Sequence, residues 1–203
     1  MTFARLEGGC GWDYSACMTS APSKRLNAQD WLQTGFQALL QDGPEALKAE
    51  PLARRLGATK GSFYWHFADV PAYHAALLAQ WETQAITDIV NALADEYTDV
   101  GRLRRMGQVI AQKGASDQMG LTAEPAIRAW AKGNAKAFET VARVDAKRLA
   151  YLGDLLYKTG IGNAEMARII YAASIGMEEL DDSDADRNGD AMGSLVDLVL
   201  ALR

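Results

Sequence analysis

Residues 50–67 read EPLARRLGATKGSFYWHF and carry the strongest structural signal in the chain. Its first half predicts a short amphipathic helix, because Leu52 and Leu56 share one face while the arginines between them point away. Gly57 supplies the left-handed residue that ends such a helix, since it has no Cβ to clash there. Thr59 can then accept the first free N–H groups of a second short helix. Two short helices joined by a glycine turn indicate a helix-turn-helix, whose second helix enters the major groove of DNA.

The second helix is predicted to have two different surfaces. Phe63 and Phe67 are four residues apart, so both can face the core. The residues expected to be exposed are Lys60, Ser62, Tyr64 and His66, with Trp65 near the boundary. A face that carries a cation, a hydroxyl and three ring side chains is unusual toward solvent and suits a nucleic acid. The alternative is that Tyr64 and Trp65 are packing groups, which helical spacing also allows.

Residues on both helices follow the pattern of a known family without a gap. They are Leu52-Ala53, Leu56-Gly57 and Tyr64-Trp65-His66-Phe67. The stretch resembles the DNA-binding domain of the tetracycline-repressor (TetR) family of transcriptional regulators, and the similarity extends from about Asn27 to about Trp81. Further along, two segments resemble a subset of that family, namely Ala126–Ala131 and Val144-Asp145 followed by Arg148-Leu149.

The resemblance implies an all-α homodimer with a three-helix, amino-terminal helix-turn-helix domain. It also implies a carboxyl-terminal helical domain that binds a small effector and dimerises. We therefore expect a disordered leader at 1–21, a DNA-binding domain at 22–68, and an effector-binding and dimerisation domain at 69–203. The expected function is transcriptional regulation, by a repressor that a small-molecule effector releases from its DNA operator.

Local signals predict where the helices begin and end. Asn27 caps a first helix running to about Gln41, and Asp69 caps a long fourth helix beginning near Pro71. Body helices are predicted near 99–113, 124–132, 134–159, 163–180 and 190–202. Only five prolines occur in 203 residues, so helix is favoured throughout.

Composition indicates a soluble globular protein, with 49% apolar and 23% charged residues. No apolar run of about 18 residues is present, which argues against a membrane span. The first twenty residues lack the apolar stretch of a secretory signal, and we expect a cytoplasmic protein. We also hypothesise that translation begins at Met18.

The net charge of −5 is unevenly distributed. Residues 22–67 hold six basic and four acidic groups, which gives +2. Residues 68–203 hold 14 basic and 20 acidic groups, which gives −6, and residues 1–21 supply −1. DNA affinity depends on local positive potential next to the phosphates. A mildly basic edge on an acidic body is therefore compatible with DNA binding.

Each exposed residue of the second helix has an expected contact with DNA. Thr59 lies at a helix N-terminus, where the partial positive charge favours a phosphate. By resemblance, Tyr64 and His66 donate to phosphate oxygens. Lys60, Ser62 and Trp65 are expected to reach base edges. Lys24 and Arg25 form a short basic arm that can follow the backbone or the minor groove.

Departures from the family pattern predict weaker and more salt-sensitive DNA binding. Glu50 stands where many members carry a basic or neutral group, and Val70 where many carry a lysine. Lys48 occupies the usual Ser/Thr cap position, a change that costs about 1 kcal/mol of local stability. The alternative function is therefore a dimeric helical protein that binds a small ligand and has weakened or lost DNA binding.

Two further sites are predicted in the body. Flexible or flat side chains that suit an apolar effector pocket are Trp81, Met106, Trp130 and Met166, although such residues also serve as plain core. Residues expected in a dimer interface of the last two helices are Ala172, Ala173, Gly176, Leu195, Leu198, Val199 and Leu202. Packing within the subunit is the alternative for both helices.

No pattern indicates an enzyme, a cofactor or a metal. The two histidines, His66 and His74, lie in or beside the proposed DNA-binding domain, with no catalytic triad or phosphate loop visible. Cys10 and Cys17 lack the paired spacing of a zinc site. Residues 184–190 match the opening of a calcium loop, but its twelfth position lacks a carboxylate. A solvated acidic connector that turns at Gly189 is the preferred interpretation.

Overall fold

The computed structural model describes residues 26–111, 119–180 and 185–202. These residues form ten α-helices and one 3-10 turn, with no strand among them, so the all-α prediction is confirmed. The helices are α1 Ala28–Asp42, α2 Ala49–Arg55, α3 Lys60–His66, α4 Val70–Ala92, α5 Asp99–Ala111, α6 Met119–Thr122, α7 Glu124–Ala131, α8 Ala135–Lys158, α9 Glu165–Glu178 and α10 Ala185–Leu200. We call residues 26–68 the head and residues 69–202 the body.

Side-chain caps set the start of α1 and of α4, as predicted. The Oδ1 atom of Asn27 accepts the backbone N–H of Asp30 at 3.0 Å, and Asp30 Oδ2 accepts that of Asn27 at 2.8 Å. This reciprocal pair satisfies two donors that the first turn of a helix leaves free. Asp69 Oδ1 accepts the N–H of Ala72 at 2.6 Å and starts α4 in the same way.

Two apolar cores hold the helices together. The first joins α1–α4 to α7 and the start of α8, and it includes Trp31, Phe63, Tyr73, Trp81 and Trp130. The second joins α5, α9 and α10 to the ends of α4 and α8, and it includes Leu103, Met106, Leu155, Ile170 and Val196. The predicted boundary between residues 68 and 69 falls inside the first core. Since α4 contributes to both cores, it connects the head to the body.

The short helix α6, which no sequence pattern predicts, lies against α4 at one point of close contact. A Cβ on Gly120 would be 2.5 Å from the backbone nitrogen of Ala85, so only glycine allows this approach. The indole N–H of Trp81 donates to the Gly120 carbonyl at 2.8 Å, and the Gly120 N–H donates to Asp88 Oδ2 at 3.0 Å. Burial raises the pKa of Asp88, although hydrogen bonds from the backbone N–H groups of Gly120 and Leu121 oppose the shift.

The last helix begins earlier than the sequence predicts. Residues 185–190 lie in the first turns of α10, so the predicted acidic connector that turns at Gly189 is wrong over these residues. The helical backbone is equally incompatible with a calcium loop there. Asn188 is buried and its amide donates to the Met177 carbonyl of α9 at 2.8 Å. Burial of Asn188 and its bond to α9 therefore help to override the low helix propensity of this polar segment. Asp184 lies outside the described residues.

None of the described helices is both long and apolar enough to cross a membrane.

Candidate DNA interface and effector cavity

The predicted helix-turn-helix is formed by α2, the turn at Gly57 and α3. Gly57 has φ +61°, in the left-handed region where a residue without Cβ is favoured. The Thr59 hydroxyl accepts the N–H of Ser62 at 3.2 Å and caps α3. Lys48 precedes α2 without a side-chain cap, which agrees with the predicted loss of the usual Ser/Thr residue.

One side of α3 is fixed in the first core. Phe63 is 0% exposed, and its ring centroid lies 5.5 Å from that of Trp31 and 5.2 Å from that of Tyr73. Phe67 packs beside it at 5.4 Å. Aromatic contacts of this kind stabilise beyond the area they bury, so α3 has a defined rotation about its axis.

The opposite side of α3 faces outward with its aromatic rings. Tyr64 is 47% exposed and Trp65 is 89% exposed, so neither is a core packing group. The expectation that Trp65 lies near the boundary is wrong, because two helical steps of 100° from Phe63 place it across the helix. Lys60 and His66 are also exposed, while Ser62 is half-buried. This outward face, residues 60, 62 and 64–66, is hereafter the α3 face.

Most cations near the α3 face already have acidic partners. Lys48 pairs with Glu45 at 2.8 Å, and Arg54 pairs with Glu50 at 3.4 Å. Arg55 pairs with Asp42 and also donates to Gln41 Oε1 at 2.8 Å. Within the described part of α2 and α3, Lys60 is the cation that pairs with no carboxylate.

Four residues outside the α3 face also bear on the predicted contacts with DNA. Thr59 is exposed, with its hydroxyl bound to the first turn of α3. Lys24 and Arg25 lie outside the described residues. Val70, which stands where many family members carry a lysine, is half-buried and packs against the first core.

A cavity of about 410 Å³ lies among α4, α5 and α8. The residues that line it are Ile86, Ile89, Val90, Leu93, Ala94, Arg102, Met106, Lys147, Arg148 and Tyr151. Its volume lies within the range of small-molecule sites, and its lining is apolar with a few polar groups, as such sites require.

The predicted effector residues are not brought together. Met106 lines the cavity, whereas Trp81 and Trp130 are buried in the first core. Trp81 faces α6, because its indole N–H donates to Gly120. Met166 packs half-buried against the second core. Three of these four side chains therefore fill cores, and most of the apolar wall of the cavity comes from aliphatic residues at the end of α4 and in the two positions after it.

A buried ionic network, which the sequence analysis does not predict, lies beside the cavity. Arg148 Nη1 lies 2.9 and 2.7 Å from the two carboxylate oxygens of Glu124. Arg128 donates to Glu124 at 2.8 Å and to Asp145 at 2.6 Å, and the Tyr171 hydroxyl donates to Asp145 at 2.8 Å. The four-residue spacing of Glu124 and Arg128 is typical of a contact within one helix. No sequence pattern indicates the contacts of these two residues with Arg148 and Asp145 of α8.

The residues predicted for the dimer interface occupy different environments. Ala172, Gly176, Leu198 and Leu202 are exposed, and Ala173 and Leu195 are half-buried. Val199 is buried in the second core, because it continues the inward stripe of Met192 and Val196 at seven- and three-residue spacing. Val199 therefore belongs to the subunit core, and the other six remain on or near the surface.

Among the described residues, no group of three or more His, Cys, Asp or Glu side chains is placed to hold a metal ion. The nitrogen Nε2 of His74 lies 2.8 Å from the Leu47 carbonyl, and its ring packs on Trp130 at 5.1 Å. His74 therefore ties the head to α7. Cys10 and Cys17 lie outside the described residues.

Comparisons with known proteins agree with this architecture. Residues 32–69 match the family of bacterial regulatory proteins, tetR family. A TetR-family transcriptional regulator from Streptomyces coelicolor superposes with a TM-score of 0.66 at 14% identity, covering 86% of this chain and 88% of that one. No curated protein matches the sequence.

Two more solved structures share the fold. SmeT, the repressor of the multidrug efflux pump SmeDEF of Stenotrophomonas maltophilia, has a TM-score of 0.62 at 19% identity, covering 89% of this chain and 91% of SmeT. A protein from Saccharomonospora viridis in complex with choline has a TM-score of 0.63 at 14% identity, with 84% and 95% covered. The helix-turn-helix domain of this chain thus belongs to the tetR family of bacterial regulatory proteins, and its body has the fold of that family's regulators.

Proposed function

We propose that this chain is a homodimeric transcriptional repressor that leaves its DNA operator when a small molecule binds in the body. The observation that carries the proposal is the α3 face, where Tyr64 and Trp65 are exposed while Phe63 anchors the helix. Large exposed rings are costly toward water and are typical of surfaces that bind a partner. Such a regulator acts in the cytoplasm, where it can reach DNA.

The roles proposed for the head follow from the chemistry of each side chain. Lys60, Ser62 and Trp65 contact base edges, and Tyr64 and His66 contact phosphates. Thr59, Lys24 and Arg25 complete the expected contacts with the backbone or the minor groove.

Dimerisation is proposed through the outer sides of α9 and α10. Leu198 of α10 and Leu202, two residues beyond its end, are exposed, and Leu195 is a half-buried apolar residue nearby in the sequence. On α9, Ala172, Ala173 and Gly176 are small enough to let a second helix approach closely. A twofold pair of these helices gives a four-helix interface. Two heads related by this symmetry would bind half-sites one helical turn of DNA apart.

Release is proposed to pass through α4. The carboxyl half of α4 forms one wall of the cavity, while its amino half packs in the same core as α3. A ligand that prefers one tilt of α4 shifts the population toward it. If that tilt separates the two heads, they no longer match adjacent major grooves. The choline complex of the Saccharomonospora viridis protein supports the idea that this fold accommodates small organic ligands.

A second candidate function is a dimeric ligand-binding protein with lost DNA binding. The observation that favours it is the pairing of Arg54 with Glu50 and of Arg55 with Asp42, which neutralises two cations of the helix-turn-helix. Counterion release, and hence DNA affinity, falls with each cation withdrawn from the phosphates.

A gel-shift experiment on the DNA upstream of the chain's own gene separates the two functions. The full chain is titrated at about 50 mM and about 200 mM salt, with a duplex of scrambled sequence as the control. We expect a sequence-specific complex whose affinity falls steeply with salt, and light scattering should report a dimer. Equal binding to both duplexes, or no complex at the lower salt concentration, would overturn the repressor and leave the ligand-binding protein.

A further inference from the structure

The walls of the cavity differ in chemistry according to the helix that forms them. The α4 side is contributed by aliphatic residues, among them Ile86, Ile89 and Leu93. The α8 side contributes Lys147, Arg148 and Tyr151, which are two cations and a hydroxyl. One wall therefore suits an apolar chain and the facing wall suits a polar acceptor.

Positive charge in the described cavity lining is not balanced inside the cavity. Arg102 of α5 adds a third cation, and no carboxylate lies among the described lining residues. Their acidic partners are outside: Asp99 for Arg102 at 3.4 Å, Glu82 for Lys147 at 2.9 Å and Glu124 for Arg148 at 2.7 Å. The space enclosed by these residues thus favours an anion over a cation.

Arg148 also has an unused hydrogen-bond donor. It lines the cavity and is buried, yet its Nε–H has no hydrogen-bond partner among the described residues. A buried donor without an acceptor is uncommon in folded proteins and costs free energy. Its other nitrogens are satisfied by Glu124, the Tyr171 hydroxyl and the Ala85 carbonyl. Because Nε itself is covered, a ligand in the cavity reaches this donor only if the Arg148 side chain shifts toward it.

We infer that the cavity binds an amphipathic carboxylate, with its acid group toward Arg148 and Lys147 and its apolar chain along α4. This inference rests on the proposed function, because it names the chemical class of the effector for that site. It also supplies the link to the head. Arg148 Nη2 donates to the Ala85 carbonyl of α4 at 3.1 Å, so a carboxylate that recruits the guanidinium acts directly on α4.

The test uses straight-chain probes that differ only in the head group. Hexanoate, octanoate and decanoate are compared with octan-1-ol and octylammonium by calorimetry on the full chain, and the shift in melting temperature is recorded in parallel. We expect at least one carboxylate to bind and to raise the melting temperature, with octan-1-ol and octylammonium at least about tenfold weaker. No binding by any carboxylate, or equal binding by octan-1-ol or octylammonium, overturns the inference.

Two charge reversals on α8 provide a matched pair of variants. Lys147 and Arg143 both pair with Glu82, at 2.9 and 2.7 Å, and both are about half exposed. Of the two, Lys147 lines the cavity. We expect Lys147→Glu to weaken the best carboxylate at least about tenfold relative to Arg143→Glu, because it places a negative charge beside the ligand. Equal affinities in the two variants would remove Lys147 from the site and overturn the stated pose.

The ligand experiment is independent of DNA, so the two proposals fail separately. A chain that binds its upstream DNA but no carboxylate keeps the proposed function and loses this inference. A chain that binds a carboxylate but no DNA keeps the effector class and loses the repressor.

Discussion

Arg148 of α8 and Glu124 of α7 form an ion pair in which each residue is 2% exposed. Arg148 Nη1 reaches both carboxylate oxygens of Glu124, at 2.9 and 2.7 Å, and Nη2 holds the Ala85 carbonyl of α4. One buried pair thus joins three helices. Removing one charge from such a pair leaves the other uncompensated in a low-dielectric interior.

Glu124→Gln keeps the size of the side chain but removes its charge. We expect it to lower the free energy of unfolding by about 3–5 kcal/mol, because Arg148 then stays buried without a counter-charge. Urea denaturation measures the change. Glu139→Gln, an exposed change on α8, is the control, with an expected effect within about 0.5 kcal/mol. Equal stability of the two variants would show that the pair contributes nothing.

Lys60→Ala should weaken operator binding by about 1–3 kcal/mol, because Lys60 is the cation of α2 and α3 that the described structure leaves without a carboxylate. Fluorescence anisotropy with the operator duplex measures the affinity. Lys158→Ala removes a lysine from the far end of α8 and should leave the affinity unchanged. Tyr64→Ala should also weaken binding while the dimer persists. If neither head variant changes the affinity, the α3 face is not the DNA interface.

Gly35 of α1 is expected to be intolerant of alanine because of Tyr73. A Cβ at residue 35 would lie 1.8 Å from Tyr73 Oη and 3.0 Å from its Cζ. We expect Gly35→Ala to cost about 1–3 kcal/mol of unfolding free energy. Tyr73→Phe alone loses the hydrogen bond to the Trp31 carbonyl, at 3.0 Å, and should cost about 1 kcal/mol.

The double variant Gly35→Ala/Tyr73→Phe tests the origin of that cost. Removing Oη frees space for the new methyl group, so the double variant should be more stable than the sum of the two single effects predicts. A coupling of about 1 kcal/mol is expected from a thermodynamic cycle measured in urea. If the two single effects add exactly, α1 shifts to make room for the methyl group, and contact with Tyr73 Oη is not the origin of the cost.

Glu82 should make stability depend on pH. Hydrogen bonds from Arg143, opposed in part by burial and aided by Lys147, hold the pKa of the Glu82 carboxyl below its ordinary value of 4.5. Because its pKa is lower in the folded state, ionised Glu82 stabilises the fold above about pH 5, and this contribution is lost as pH falls through the folded-state pKa.

Comparing Glu82→Gln with the unmodified chain isolates this contribution. We expect a loss of about 0.5–1 kcal/mol at neutral pH, in the range of exposed ion pairs, and a difference that shrinks as the pH falls through the lowered folded-state pKa of Glu82. Thermal unfolding across that range measures it. A difference that grew on acidification would mean that folding raises the pKa of Glu82 instead of lowering it.

The local structure of the head could be predicted from residues that are close together in the sequence. The glycine at position 57, the threonine cap at 59 and the four-residue spacing of Phe63 and Phe67 predicted the helix-turn-helix and its buried side. These signals are local, since a cap, a turn and a helical stripe depend on residues a few positions apart. The caps at Asn27 and Asp69 were predicted for the same reason.

The environments of the side chains in the body depend instead on how the helices pack together. Trp81 and Trp130 have side chains that suit an effector pocket but lie in the first core. Val199 has a side chain that suits a dimer interface but lies in the second core. Polar residues 185–190 are helical against their own propensity, with Asn188 buried and bonded to Met177 of α9. The environment of a side chain depends on which distant helices pack beside it, as with Arg148, Glu124 and Ala85. A single sequence contains no local signal for such long-range packing.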